Sequence, residues 1–216
     1  MNRVTAQISV SLDGFVAGPN PSVEHPLGEG GERLHEWAVA TESWRAQHGR
    51  EGGARDASSE LIDRVTSGVG AYVMGRRMFG GGEGPWDESW KGWWDDEPPF
   101  HAPVFVLTHH PREPLAMKGG TTFTFVTGGI EEAVAQARAA AGDGEVAVAG
   151  GASAIQQSLA AGLLDELLLH VVPIVLGGGT RLLEGVGEPV LEAVEVVASP
   201  GVAHLRYRVV REAAAL

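Results

Sequence analysis

The chain of 216 residues is long enough for one large domain with a full core, and 44% of its residues are hydrophobic, as in an ordinary globular protein. Its net charge of −12, with only two lysines (Lys91 and Lys118) among 16 basic residues, argues against binding to a nucleic-acid backbone. The lack of cysteine excludes disulfides and thiolate metal sites, and the lack of a long apolar run or an apolar signal segment predicts a cytoplasmic protein that does not span a membrane.

The first predicted element is a strand over residues 4–12, in which apolar and polar residues alternate. It ends at Asp13-Gly14, and a loop continues through Gly18 and Pro19. An aspartate just past a strand end can face a cleft and hold an N–H group of a ligand, or it can simply cap the turn. Both interpretations of Asp13 stay open.

Residues 19–56 are rich in proline and glycine and are predicted to form an irregular insertion or lid, with one helix over residues 34–44. Trp37 and Trp44 in that helix either cover a ligand or pack in the core. A further helix, capped by Ser58 or Ser59, is predicted to run through Thr66.

A strand from residue 71 is predicted to lead into Gly75-Arg76-Arg77. Glycine permits close approach of a ligand to the backbone, and either arginine can supply a planar fork for phosphate. Residues 80–103, with four tryptophans, are predicted as a second irregular insertion. This segment is either a surface excursion held down by aromatic packing or an aromatic groove for a planar ligand.

Two more strands are predicted at residues 104–108 and 122–127, and a helix over residues 130–141 follows the second. The pair His109-His110 stands at the end of the first strand. Adjacent side chains on a strand point to opposite faces, so these histidines do not readily bind one metal ion. A polar strand end near an anion is the preferred interpretation.

The stretch from Glu145 to Leu159 carries the strongest functional signal. A buried strand at residues 145–148 breaks through Gly150-Gly151 into a helix over residues 152–161. Unpaired N–H groups and the positive end of the helix dipole favour phosphate at such a turn, and Ser153 adds a hydroxyl. A tight turn that binds nothing is the alternative.

The last part of the chain is predicted to hold an apolar strand over residues 165–176, interrupted at Pro173, and a hairpin of residues 190–198 and 203–210. Strands alternating with helices indicate an α/β fold with a largely parallel sheet, to which the hairpin adds antiparallel pairs. Because ligands of such sheets lie beyond the carboxyl ends of the strands, the polar strand ends are expected to converge at one rim. We also expect a homodimer formed through the apolar late strands.

The order and spacing of several short motifs resemble the dihydrofolate-reductase-like superfamily, in particular the branch that contains the reductase domain of the bifunctional riboflavin-synthesis deaminase–reductase. The motifs are Ser11-Leu12-Asp13-Gly14, Met74-Gly75-Arg76, Val106-Leu107-Thr108, Ala149-Gly150-Gly151-Ala152, and Asp165-Glu166-Leu167 leading to residues 173–179. The resemblance covers nearly all of the chain except about residues 19–56 and 80–103. It implies a single domain over residues 1–216 with those two insertions, a three-layer fold with a mixed, mainly parallel sheet flanked by helices, and NADPH as the cofactor.

The resemblance also implies roles for individual residues. Cofactor-binding residues would be Ser9, Ala17, Gly75, Arg76, Arg77, Leu107, Thr108, His109, Thr127, Gly150, Gly151, Ala152 and Ser153. Substrate-binding residues would be Ser11, Asp13 and Gly178, with Asp13 also the candidate catalytic residue and no metal ion involved. In this scheme Arg76 meets the cofactor phosphates, residues 150–153 cradle the pyrophosphate, and Thr108 and His109 lie by the adenosine ribose and its extra phosphate.

The expected reaction is hydride transfer from NADPH to a C=N or C=O group of a small polar substrate, such as a pyrimidine-like, pterin-like or ribosylaminouracil-like heterocycle. Asp13, a Trp-lined loop or water would supply the proton. Two features depart from the riboflavin-pathway reductases: Ala149 stands where they often have glutamate, and the deaminase half is missing. A nucleotide-binding protein without catalysis and a flavin- or deazaflavin-dependent reductase on the same fold are the alternatives.

Overall fold

The computed structural model of the chain describes residues 2–22 and 24–210. Met1, Val23 and residues 211–216, which the single-domain prediction included, lie outside the described residues. The chain divides into two compact units, the first formed by Met1–Ala6 and Gly68–Leu164 and the second by Gln7–Ser67 and Asp165–Leu216. The single domain therefore stays a prediction, and each unit is described by itself.

The secondary structure alternates between strands and helices over most of the described chain. The strands are β1 (Val4–Ser11), β2 (Phe15–Ala17), β3 (Val69–Gly75), β4 (Pro103–Leu107), β5 (Leu115–Ala116), β6 (Thr122–Val126), β7 (Glu145–Gly150), β8 (Glu166–Val172), β9 (Thr180–Arg181), β10 (Val190–Ser199) and β11 (Val202–Val210). The α-helices are α1 (Glu36–Val39), α2 (Glu42–Gln47), α3 (Ala57–Thr66), α4 (Arg76–Phe79), α5 (Gly129–Ala140) and α6 (Ala152–Ala160). No helix among residues 2–22 and 24–210 is long and apolar enough to cross a membrane.

The first unit is built on a mainly parallel sheet. The first residues of β1 pair in parallel with β7, β7 with β3, β3 with β4, and β4 with β6, while the short β5 runs antiparallel to β6. Valines such as Val73, Val104 and Val148 are fully buried, because helices α5 and α6 pack against these strands. Helix α5 turns Ile130 and Val134 toward the core, one turn apart on the same face.

Residues 80–102 of the first unit form no helix or strand, as predicted. Trp86, Trp90 and Trp94 pack against a buried cluster that includes Phe79 and Phe123. A residue with a side chain at Gly80 would bring its Cβ within 2.8 Å of Trp90 and Trp93 ring atoms, so glycine is required there. Aromatic packing therefore holds this segment down, in agreement with the first of the two interpretations.

The second unit is built on antiparallel strands. The hairpin of β10 and β11 is confirmed, and β11 continues the sheet by pairing with β8 from Arg208–Glu166 to Ala203–Val171. Strand β8 ends before Pro173, where the predicted strand was expected to be interrupted. Strands β2 and β9 form a separate two-stranded sheet. The predicted α/β class, with a mixed, mainly parallel sheet, flanking helices and a terminal hairpin, is confirmed.

Two local predictions in the second unit were wrong. The helix expected over residues 34–44 is broken into a 3-10 turn and the short helices α1 and α2, because Thr41 adopts an extended conformation and caps α2 by accepting from Trp44 N. Helix α3 is capped by Asp56, whose side chain accepts from Ser59 N at 3.0 Å, rather than by Ser58 or Ser59. Both serines lie in the first turn, where their hydroxyls bond to other buried groups.

Candidate functional site

The carboxyl ends of β3, β4, β6 and β7 lie at one edge of the first unit, because these strands run parallel. In the sheet register Gly75 faces Leu107, and Met74 faces Gly150. Thr108 then continues the ladder by donating its N–H to Val126 O at 3.0 Å. The structure therefore brings together the predicted cofactor residues of this unit: Gly75, Arg76, Arg77, Leu107, Thr108, His109, Thr127, Gly150, Gly151, Ala152 and Ser153.

The turn at Gly150-Gly151 is shaped by two glycines with different local constraints. Gly150 has a φ of +125°, a conformation that side chains disfavour, and an added Cβ would lie 3.4 Å from Met78 Sδ. The peptide bond that joins it to Gly151 is cis. An added Cβ at Gly151 would meet no atom within 4 Å, so the space beside this residue is open.

Helix α6 starts directly after the turn, with Gly151 as its N-cap and no side-chain cap hydrogen bond within the described part of the chain. Ser153 is exposed and its Oγ accepts from Gln157 Nε2 at 2.9 Å, which leaves its O–H able to donate. Helix N-termini of this kind bind phosphate through free N–H groups and the helix dipole. The turn therefore has the open space and the donors that a pyrophosphate group requires.

Matched alanine substitutions at the two glycines separate strain from ligand contact. We expect Gly150→Ala to lower the free energy of unfolding by about 1–3 kcal/mol, because alanine is strained at this φ. Gly151→Ala should leave stability nearly unchanged, because its φ of −73° suits any residue and its Cβ meets open space. Urea unfolding measures the stability of the two variants, and a separate titration of the folded proteins measures their affinity for NADPH. Wild-type NADPH affinity in Gly151→Ala would contradict a phosphate group beside this residue.

The structure shows that the neighbouring arginines Arg76 and Arg77 differ in exposure and contacts, which the sequence did not predict. The Arg77 side chain is 83% exposed and pairs with Glu83. Arg76, the first residue of α4, instead lays its guanidinium over the Trp86 ring, with 3.7 Å from Cζ to the ring centre. Its Nε and Nη2 are buried without a hydrogen-bond partner among the described residues. Burial, and then the charge of Arg112, lower the pKa of Arg76.

The polar groups after β4 and β6 are either exposed or hydrogen-bonded to neighbouring backbone. The Thr108 hydroxyl is buried and exchanges hydrogen bonds with the backbone of His110, at 3.2 and 3.1 Å. His109 and Thr127 are exposed at the same edge. Their roles in cofactor binding stay predictions.

Sequence reasoning missed Arg112 and the position of Trp86. The Arg112 side chain is only 1% exposed, and it is tied to Glu88 through Nε (3.2 Å to Oε2) and Nη2 (2.9 Å to the carbonyl O). Its Nη1 is buried and has no partner among the described residues. The sequence does show a basic residue shortly after β4. Because Pro111 lies between them, the direction of the Arg112 side chain could not be predicted from the strand.

In the second unit, Asp13 is a structural carboxylate. Its Oδ1 accepts from Ser11 Oγ at 2.6 Å and from Leu176 N at 3.1 Å, and its Oδ2 accepts from Gly177 N at 2.7 Å. The Ser11 hydrogen bond is the main reason that the pKa of Asp13 falls to about 2, with the backbone donors acting in the same direction. Asp13 is therefore ionised near neutral pH, which supports the turn-capping interpretation and argues against proton donation. Its catalytic role stays a prediction.

The other residues predicted in the second unit have unequal surroundings. Ser9 is buried and its Oγ accepts from Trp37 Nε1 at 3.0 Å. Trp37 packs on two buried histidines, which favours the core role for this tryptophan. Ala17 lies in β2, and Gly178 has open space beside it. A cavity of about 400 Å³ in this unit is lined by Val10, Gly14, Leu169, Arg181, Leu182, Leu183 and Glu184.

Comparison with known proteins agrees with this arrangement. A family model described as the RibD C-terminal domain matches residues 2–205. No curated protein sequence matches the chain. The solved structures that share its fold include the following three.

The first is described as a riboflavin biosynthesis protein from Shewanella sp. PV-4; it is 22% identical with a TM-score of 0.64, and the match covers 98% of this chain and 100% of that one. The second is a pyrimidine reductase-like protein from Corynebacterium diphtheriae, 14% identical with a TM-score of 0.55, covering 98% of this chain and 93% of that one. The third is a diaminohydroxyphosphoribosylaminopyrimidine deaminase/5-amino-6-(5-phosphoribosylamino)uracil reductase from Thermotoga maritima, 12% identical with a TM-score of 0.55. That match covers 97% of this chain and 57% of the Thermotoga protein. At 22% identity or less, these three structures show a shared fold.

Proposed function

Because the chain belongs to the RibD C-terminal domain family, we propose that it is an NADPH-dependent reductase that transfers hydride to a C=N or C=O group of a small polar heterocycle. A substrate of the ribosylaminouracil or pyrimidine type is suggested by the names of two neighbours with the same fold. The observation that carries the proposal is Arg76, whose buried Nε and Nη2 have no acceptor among the described residues, at the edge where the Gly150-Gly151 turn opens.

The residues present fit a phosphorylated dinucleotide. The open side of Gly151 and the first N–H groups of α6 would hold the pyrophosphate, and Arg76 would hold a further phosphate. Leu107, Thr108, His109 and Thr127 border the same edge and would contact the adenosine half. The nicotinamide ring supplies the hydride when the cofactor is bound.

In the second unit we assign Ser9 and Ala17 to the nicotinamide end of the cofactor and Ser11, Asp13 and Gly178 to the substrate. The Asp13 carboxylate accepts hydrogen bonds and holds the loop at Gly177. Trp86 Nε1 and Trp90 Nε1 donate to backbone carbonyls, and an indole N–H is in any case too weak an acid to transfer its proton near neutral pH. We therefore propose water as the proton source. Cytoplasmic location and a homodimer remain part of this proposal.

A nucleotide-binding protein without catalysis is the second candidate, and the ionised state of Asp13 favours it, because the one residue predicted to be catalytic then offers no proton near neutral pH. Turnover separates the two. The purified protein is mixed with NADPH and candidate heterocyclic imines or carbonyl compounds, including ribosylaminouracil-type and dihydropterin compounds. The reductase proposal expects NADPH oxidation that requires the second substrate. Tight NADPH binding without oxidation by any of them would support the non-catalytic protein instead.

A further inference from the structure

Strands β8, β11 and β10 of the second unit have one face without charges. Residues that are paired across neighbouring strands point to the same side of the sheet. Two rows of paired residues on this face are Leu169–Leu205–Val196 and Leu167–Tyr207–Ala193. Among all the paired residues of the three strands on this side, there is no aspartate, glutamate, lysine, arginine or histidine. We call this surface the apolar face.

The opposite face of the same strands carries both the charges and a helix. Arg206 and Glu195 form an ion pair there, and Glu195 also pairs with Arg64 of α3. Ser58, in the first turn of that helix, places its Oγ 2.9 Å from His204 Nε2. A sheet ordinarily turns its apolar face to its helices and its charged face to water. Here α3 lies on the charged side, so it does not cover the apolar face.

The described residues leave much of the apolar face in contact with solvent. Val196 is 69% exposed, and Ala198 on the same strand is also exposed. Leu205 and Tyr207 on the neighbouring strand are half-buried. A contiguous apolar patch of this kind marks an interaction surface. The patch also reaches the cavity of about 400 Å³ in this unit, because Leu169 belongs to both.

We propose that the apolar face is the interface of a twofold-symmetric dimer, in which a second copy of this chain packs its own apolar face against that of the first. Such an interface brings identical surfaces together, so a charged group near its axis would meet its like. Each copy has a net charge of −12, which makes two copies repel each other over most of their surface. The apolar face is the region of these strands where that repulsion is weakest. An anionic lipid surface, which could also cover apolar side chains, would repel a chain of this charge.

The size of the apolar face suits a dimer of moderate affinity. Strands β8, β11 and β10 have 7, 9 and 10 residues. With a rise of about 3.3 Å per residue and about 4.8 Å between strands, the face is about 30 Å long and about 15 Å wide. Two such faces have a projected area of about 900 Å², and the relief of the side chains brings the accessible area to the roughly 1,000 Å² that a specific interface requires. The second copy would border the cavity at Leu169.

Sedimentation velocity of the purified full chain over a range of concentrations tests this interface. Val196→Glu places a carboxylate on the apolar face at a largely exposed position, so a single copy should still fold. Val190→Glu is the matched control, because it makes the same substitution in the same strand at a residue that is 49% exposed. Val190 is paired with Val210 and points to the opposite face.

We expect the wild type to dimerise reversibly and Val196→Glu to raise the dissociation constant of the dimer by at least roughly a hundredfold, because each copy would bury an unpaired carboxylate. Val190→Glu should change that constant by less than about threefold, as exposed substitutions do. A wild type that is monomeric at every concentration would overturn the proposal and leave the face to another occupant. A dimer that withstands Val196→Glu, or that Val190→Glu breaks equally well, would also overturn it.

If Val196→Glu does not fold, Ala198→Glu takes its place, since Ala198 is exposed on the same face. The interface rests on the proposed function for the homodimer and not for hydride transfer, so NADPH oxidation is measured on the same samples. A monomeric wild type that oxidises NADPH with a heterocyclic substrate would refute the interface and keep the reductase. A dimer that Val196→Glu separates, without any NADPH oxidation, would do the reverse.

Discussion

Replacing Arg76 with alanine is expected to weaken NADPH binding by roughly ten- to a hundredfold and NADH binding far less. The physical reason is that hydrogen bonds to charged groups contribute about 1.5–3 kcal/mol each, and this contribution is lost only by a ligand that places a phosphate at Arg76. Fluorescence titration of the wild type and the variant with both nucleotides gives the four dissociation constants.

The neighbouring arginine provides the control for this substitution. Arg77→Ala removes the same charge one residue later, but the Arg77 side chain is 83% exposed and turned to Glu83. Its loss should change either affinity by less than about twofold, since exposed ion pairs contribute little. An equal loss for NADPH and NADH in Arg76→Ala would refute the assigned phosphate contact, whatever the size of the loss.

The second large effect is expected in acid, from a buried histidine pair in the second unit. His170 and His204 are 4% and 1% exposed, and their Nδ1 atoms lie 2.8 Å apart. One Nδ1 must donate and the other accept, so the two rings cannot both be protonated without losing this bond. His170 Nε2 lies 3.3 Å from Gln7 Oε1, and His204 Nε2 lies 2.9 Å from Ser58 Oγ. A proton on His170 Nε2 and one on His204 Nδ1, both rings neutral, satisfies the whole chain.

Burial is the main reason that the pKa of His170 falls to about 3, and it lowers the pKa of His204 as well. In the unfolded chain a histidine takes up its proton near pH 6.5, so below that pH the unfolded state binds more protons than the folded state. The contribution of the neutral buried histidine to the free energy of unfolding is therefore fully present above pH ~6.5. It is lost as the pH falls from there toward 3. For His170 alone the loss is about 2 kcal/mol by pH ~5.

Urea unfolding at several pH values between about 7.5 and 5 measures the slope of the free energy of unfolding against pH. In His170→Met the slope should flatten, even if the variant is less stable at every pH because Gln7 and His204 lose a partner. His25→Gln removes a histidine that is outside the pair and has a side chain 55% exposed, so its slope should stay steeper than that of His170→Met. A stability that does not depend on pH in the wild type would contradict a neutral buried pair.

The regular strands and helices could be predicted because their signals are local. The alternation in β1, the glycine pair at the end of β7 and the Pro200-Gly201 turn of the hairpin each fix a structure through nearby residues. The caps of α2 and α3 were missed because Thr41 and Asp56 compete with neighbouring polar residues, and only the folded backbone decides which of them is extended. Such choices depend on tertiary context.

The strand-end residues of the candidate site followed from topology, whereas its side-chain contacts did not. Parallel pairing is enough to place Gly75, Leu107 and Gly150 at one edge. The stacking of Arg76 on Trp86 depends on the path of an irregular segment, and no periodicity in the sequence encodes that path. The burial of Arg112 depends on that same segment, through Glu88. The sequence therefore predicted the strand ends of the candidate site, but not the contacts that its arginine side chains make.

We propose above all that the strand ends of the first unit bind a nicotinamide dinucleotide that carries an extra phosphate. Side-by-side equilibrium titrations of the purified protein with NADPH, NADH and FMN test it most directly. NADPH is expected to bind tightest, with NADH weaker by roughly tenfold or more. A coloured protein that holds FMN tightly and binds NADPH no better than NADH would contradict it.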